Sequence, residues 1–210
     1  MTLLFVLTIL TVVTAVLAIW GKYKPTHTQV YIFKPLTTIL IIGIALLGVS
    51  PNPVYKTVII IGLFFCLGGD IFLMWSSQYF VMGLISFLIG HICYITAFVL
   101  DGGGQFSWWL LPLVVYGAIL YRILYPHLGK MRVPVTCYVL VILMMAWQAL
   151  SRWSALHTTS ALLAAAGAVS FVLSDSALAV NRFYKEHRSL HIIVLSTYWL
   201  AQWLIALSVH

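Results

Sequence analysis

Eight runs of apolar residues, each about twenty long, follow one another with short polar breaks, at approximately 2–20, 31–48, 55–75, 79–100, 107–125, 133–150, 158–180 and 190–209. A helix of about twenty apolar residues crosses the hydrocarbon core of a bilayer, and in lipid it satisfies its own backbone groups. The pattern predicts an all-α polytopic membrane protein, an eight-helix transmembrane bundle with a single transmembrane domain over residues 1–210. With 63% hydrophobic and 7% charged residues, against ~25% charged in soluble domains, little is left for a soluble domain. The first run lacks a basic region ahead of it and a small-residue cleavage site, and reads as a retained helix. Pro35, Pro112 and Pro134 are expected in first helical turns, where a missing N–H is harmless. Ser50-Pro51-Asn52-Pro53 and Asp101-Gly102-Gly103-Gly104 read as turns. Trp75-Ser76-Ser77-Gln78 has to form a hairpin between two long helices.

The net charge of +7 carries no basic run interleaved with aromatics, so nucleic acid is not an expected partner. Topology explains it better. Lys22, Lys24 and Lys34 flank the first loop, Arg122, Lys130 and Arg132 the fifth, and Arg182, Lys185 and Arg188 the seventh; only Lys56 and Arg152 fall on the other side. The positive-inside rule then places loops one, three, five and seven in the cytoplasm and both termini outside it. Cys66, Cys93 and Cys137 lie in apolar runs without CxxC spacing and read as core residues. Trp20, Trp75, Trp108 and Trp109 stand at segment ends as interfacial anchors.

Two of the four acidic residues, Asp70 and Asp175, lie inside apolar runs. A charge near the bilayer centre costs ~3 kcal/mol or more, and marks a functional site by default. Each sits about five residues before the cytoplasmic end of its segment, which puts both ~7–8 Å below the inner boundary. Lys34 enters the second segment at a similar level. The spacing of 105 residues between the aspartates, in a chain of 210, allows a parallel repeat of four plus four helices. Pro35-Leu36-Thr37 against Pro134-Val135-Thr136, and Tyr94 against Tyr198, fit that register. Two carboxyls in one low-dielectric site settle with one protonated and one ionised, the arrangement that acid–base chemistry needs. Tied to Lys34, a tyrosine or backbone N–H groups, the same pair could instead serve helix packing alone.

His91 and Tyr94 share a face of the fourth segment, where His91 could orient a carboxylate or relay a proton. His191, Leu195, Tyr198 and Gln202 form a stripe on the eighth; Tyr198 and Gln202 are candidate donors to substrate or aspartate, or packing glue. His187 and His191 have metal-ligand spacing, but Arg182, Lys185 and Arg188 surround them and no HExxH is present, so no metal is expected. Glu186 reads as a solvated partner of those bases, and Asp101 as exposed. The small residues from Ala161 to Ala168 predict close helix contact.

Several stretches together resemble the YhhN family of membrane proteins. They are Phe33-Lys34-Pro35-Leu36, Gly69-Asp70-Ile71-Phe72-Leu73-Met74, Phe87 to Phe98 around Gly90-His91, Val172-Leu173-Ser174-Asp175-Ser176-Ala177-Leu178 and Tyr198-Trp199-Leu200-Ala201-Gln202. The resemblance implies eight transmembrane helices and lysoplasmalogenase activity, the hydrolysis of a lysoplasmalogen vinyl ether to a fatty aldehyde and a glycerophospho-headgroup. It implies Asp70 and Asp175 as the catalytic pair, with Lys34, His91, Tyr94, Ser174, Tyr198 and Gln202 in supporting or substrate-binding positions. A lysophospholipid substrate, no cofactor and a place in a bacterial inner membrane follow. The substrate phosphate is expected within reach of Lys34, Arg122 or Arg182. An alternative on the same carboxylates is a proton-coupled transporter or lipid carrier. An intramembrane aspartyl protease would require glycine where Leu67 stands.

Overall fold

The computed structural model describes residues 2–23, 28–75 and 77–210. Eight helices account for most of these: α1 (Thr2–Gly21), α2 (Thr28–Leu47), α3 (Pro53–Met74), α4 (Phe80–Leu100), α5 (Leu110–Leu124), α6 (Arg132–Leu156), α7 (Thr159–Ala179) and α8 (Arg188–Leu207). All eight are long and apolar enough to cross a membrane, α5 and α6 together with the short 3₁₀ turns that join them and α7 with the π turn that follows it. Lys24 and Ser76, and the side chain of Arg188, lie outside the described residues.

Apolar residues cover all sides of these helices, so small residues rather than a hydrophobic stripe select the packed faces. A Cβ added at Gly62 would stand 2.5 Å from the Tyr94 ring and 3.1 Å from the Gly90 carbonyl; one at Gly69 would stand 2.5 Å from the Phe87 ring. Backbones of α3 and α4 therefore approach closely over most of their length. On α7 the buried Ala161, Ala164, Ala165, Gly167 and Ala168 do the same towards α8, where a Cβ at Gly167 would meet the Ala201 carbonyl at 2.9 Å.

Contacts between helices follow one rule in both halves. α3 packs along α4 as α7 packs along α8, α2 lies against α3 as α6 lies against α7, and α2 touches α8 as α6 touches α4. The outer helices break the pattern, since α1 covers α2 broadly and α5 meets α6 over a smaller area.

Three expectations are corrected. Pro35 is the eighth residue of α2, not part of its first turn; its missing N–H leaves the Tyr31 carbonyl without the usual helical partner. α6 continues to Leu156, six residues past the apolar run, and carries Arg152 into the bundle at 3% exposure. There Arg152 meets Asp101, so this aspartate is paired rather than merely exposed: Nη2 and Nε donate to Oδ2 at 2.5 and 2.9 Å. Asn52 donates to the other oxygen at 2.7 Å while its own side-chain oxygen caps α3, and Arg152 also reaches Ser160 and lies over the Tyr55 ring. This network closes the end of the bundle that holds loops two, four and six. Arg152→Met is expected to lower stability by about 2 kcal/mol, below the usual cost of breaking a buried pair because Asp101 keeps solvent access. Thermal unfolding in detergent would measure it.

Candidate active site

At the opposite end, α3 and α7 carry Asp70 and Asp175 each four residues before the last residue of its helix. Both carboxylates line one cavity of about 490 Å³. Its walls come from the ends of α1, α3 and α7 and the beginnings of α2, α4 and α8, the layer in which the sequence places them.

The two carboxylates have unlike surroundings. Asp70, 1% exposed, faces Lys34 Nζ at 3.2 Å through Oδ1. Its Oδ2 accepts hydrogen bonds from Thr38 and Tyr198, both at 2.7 Å. Lys34 and Thr38 are one turn apart on α2, so a single helix face supplies the cation and one donor. Charge-assisted bonds of this kind are the strong ones, and all three groups favour a carboxylate over a carboxylic acid. Among the described residues, no lysine or arginine pairs with Asp175. Its Oδ2 accepts a 2.5 Å hydrogen bond from Tyr138 on α6, and His91 Nε2 lies 4.0 Å away. The His91 ring is fully buried against Phe171 and Tyr138, and among the described residues neither of its nitrogens is hydrogen-bonded to a side chain.

Each aspartate therefore draws on both halves of the bundle. Asp70 takes a donor from α2 of its own half and one from α8 of the other; Asp175 takes a donor from α6 of its own half and has His91 from α4 of the other.

Behind Asp175 a narrow apolar crevice, about 50 Å³ in volume, runs between α4, α5, α6 and α7. Leu73, Phe80, Phe87, Asp175, Leu178 and Phe183 border both spaces, so Asp175 stands where the polar cavity becomes the apolar crevice. From α5, Tyr116 reaches across to donate to Ser176 Oγ at 2.7 Å.

Of the expected supporting residues, Lys34 and Tyr198 bond Asp70, and His91 stands beside Asp175. Ser174 lines the cavity but gives its hydroxyl to the Val194 carbonyl at 3.0 Å, tying α7 to α8. Tyr94 is held elsewhere, its hydroxyl 3.6 Å from Cys66 Sγ. Gln202 is fully buried, with no hydrogen bond from either amide atom among the described residues. Thr38 and Tyr138 are absent from the sequence expectations. If Asp175 takes part in the reaction, Tyr138→Phe is expected to reduce turnover about 10-fold, the worth of one hydrogen bond to its carboxyl, with folding retained. The ratio of kcat to that of the parent protein checks it.

The YhhN family model matches residues 29–209. The chain belongs to the YhhN family. Among its relatives, lysoplasmalogenase TMEM86A of Bos taurus is 34% identical over 177 residues, covering 79% of this chain and 69% of that protein. An uncharacterized membrane protein YhhN of Escherichia coli O157:H7 is 26% identical over 198 residues, 92% of this chain and 93% of that one. A lysoplasmalogenase of Mycobacterium bovis is 31% identical over 139 residues, 62% of this chain and 51% of its own. No solved structure matches. The eight spans and the membrane relatives of this YhhN-family chain make it an integral membrane protein.

Proposed function

We propose that this YhhN-family protein is a lysoplasmalogenase-like ether hydrolase, which cleaves the vinyl ether of a lysoplasmalogen in the membrane. One observation carries the reading: two carboxylates with unlike partners share a cavity at its junction with an apolar crevice. In this reading the alkenyl chain enters along the apolar residues that border the crevice, the vinyl ether lies at Asp175, and the glycerol side projects into the cavity.

The partners divide the labour. Asp175, without a neighbouring cation, holds the proton and delivers it to the alkene carbon one removed from the ether, leaving an oxocarbenium ion. Asp70, kept anionic by Lys34, Thr38 and Tyr198, faces that cation and takes a proton from the water that adds to it. As the hemiacetal collapses, the Asp175 carboxylate recovers a proton from its hydroxyl, and Asp70 passes its own proton to the departing glycerol oxygen. Aldehyde and alcohol are released and both carboxyls return to their starting states. Tyr138 and His91 face the charge that Asp175 carries between the two transfers.

The distribution of basic residues supports an inner-membrane orientation with this cavity at the cytoplasmic end and both termini outside.

Turnover in deuterated water tests the chemistry. A 1-alkenyl lysophospholipid is expected to yield aldehyde with one deuterium at C2, while its saturated 1-alkyl analogue stays intact. Aldehyde without that label would exclude protonation at carbon, and no aldehyde at all would exclude the hydrolase.

A further inference from the structure

We propose that Lys22, Arg182 and Lys185, at the mouth of the cavity, form a subsite for a phosphate oxyanion, with Arg182 as its anchor and the phosphodiester of the lysolipid as its ligand. This rests on the hydrolase reading above and adds to it the group that places the headgroup.

Charge accounting leads there. The cavity is lined by Lys22, Lys34, Arg182 and Lys185 against Asp70, Asp175 and Glu186. Lys34 is spent on Asp70, and the partners of Asp175 are a tyrosine and a histidine. Three cations are left at the mouth against Glu186, which forms no ion pair with any of them among the described residues. A concave site with unspent charge of one sign attracts and holds the opposite ion.

Arg182 is held in place although it is exposed. Its guanidinium lies 4.9 Å over the Phe80 ring, and that ring stands edge-on to Phe183 at 6.1 Å. Both phenylalanines border the crevice as well as the cavity. One face of the guanidinium is thus fixed on an aromatic ring, and its N–H edge makes no hydrogen bond among the described residues. That fork is the geometry suited to a phosphate.

The backbone puts it there by widening. α7 passes into a π turn, Val180–Tyr184, closed by the Lys185 N–H to the Val180 carbonyl at 3.0 Å. All six residues from Asn181 to Glu186 line the cavity as a result. Asn181 pins the turn by accepting from the His187 N–H at 2.8 Å. Arg182 follows Asp175 by two turns, a rise of about 10 Å, and helical side chains lean back towards the N-terminus. Its charge therefore falls on the glycerol side of Asp175, where the phosphate of a substrate with its vinyl ether at Asp175 has to lie. Arg122, expected from the sequence to share this task, does not line the cavity.

The test compares two substrates in nonionic detergent, 1-alkenyl-glycerophosphoethanolamine and 1-alkenylglycerol, which lacks the phosphate. Parent protein, Arg182→Gln, Arg182→Lys and the double variant Lys22→Gln/Lys185→Gln are assayed for aldehyde. The ratio of kcat/KM for the phosphate-bearing over the phosphate-free substrate is expected to fall at least about 10-fold in Arg182→Gln, mainly through KM. Arg182→Lys should recover part of it, and the double variant should lower it less. An unchanged ratio, with equal losses on both substrates, overturns the subsite and leaves the hydrolase standing. A ratio that moves only when phosphatidylglycerol is added assigns these cations to bilayer phosphates and overturns it too. Failure of the parent protein to release aldehyde from either substrate removes the hydrolase reading itself.

Discussion

Asp175→Asn is expected to lower aldehyde release by about 10³-fold or more, because an amide cannot deliver the proton that starts the reaction. The change removes no charge pair, since the contacts of Asp175 are the Tyr138 hydroxyl and the His91 ring. An asparagine carbonyl can still accept from Tyr138, so the bundle should remain folded and monodisperse. Asp70→Asn should be comparably inactive for a different reason: the anion that draws a proton from water is gone. The two single variants and the double variant should then lie close together, since members of one catalytic unit are not additive. Turnover of any of them at the parent rate, in protein shown to be folded, would sink the two-carboxylate mechanism.

Lys34→Met separates stability from chemistry. The Lys34 side chain is 11% exposed and that of Asp70 1%, so removing the cation leaves a buried carboxylate with only Thr38 and Tyr198. Breaking a buried pair from one side costs about 3–5 kcal/mol. For a chain of this length that corresponds to a fall in Tm of the order of 10 °C. The double variant Lys34→Met/Asp70→Asn should recover most of the loss, because the isolated charge has gone, and it should remain inactive. Thermal unfolding of the four proteins in detergent gives the cycle. A double variant less stable than Lys34→Met would mean that the ion pair is not what Lys34 is for.

Hydropathy made the helices legible because lipid imposes length and apolarity on each of them. It misplaced the end of α6 because Arg152 interrupts the apolar run. Pairing with Asp101 lets that arginine enter the bundle, and no one-dimensional average contains such a pair. The position of Asp70 and Asp175 near the ends of α3 and α7 was legible for the same reason as the helices, since residue count is distance along a helix. Their partners were legible only where a polar residue is conspicuous against lipid, as Lys34 is. Tyr138 and Thr38 are ordinary residues in apolar helices, and the available signal was their distance from the helix end. Tyr94 shows the converse: it lies on the His91 face by spacing, yet its hydroxyl is held at Cys66 by the close approach of α3 and α4. Rotation of a helix about its axis depends on its neighbours, and hydropathy does not encode it.

The crossed supply of donors to the aspartates has one more consequence. Two half-bundles that interlock in this way, if identical, would offer two carboxylates that differ in nothing, and neither could be acid while the other is base. In the register of Pro35 and Pro134, the residue opposite Lys34 is Val133, which is exposed on α6. A single ammonium, present in one half and missing from the other, is enough to give the two sides different tasks. In the proposed mechanism the division between proton donor and proton acceptor is in that sense a broken symmetry, and Lys34 is where it breaks.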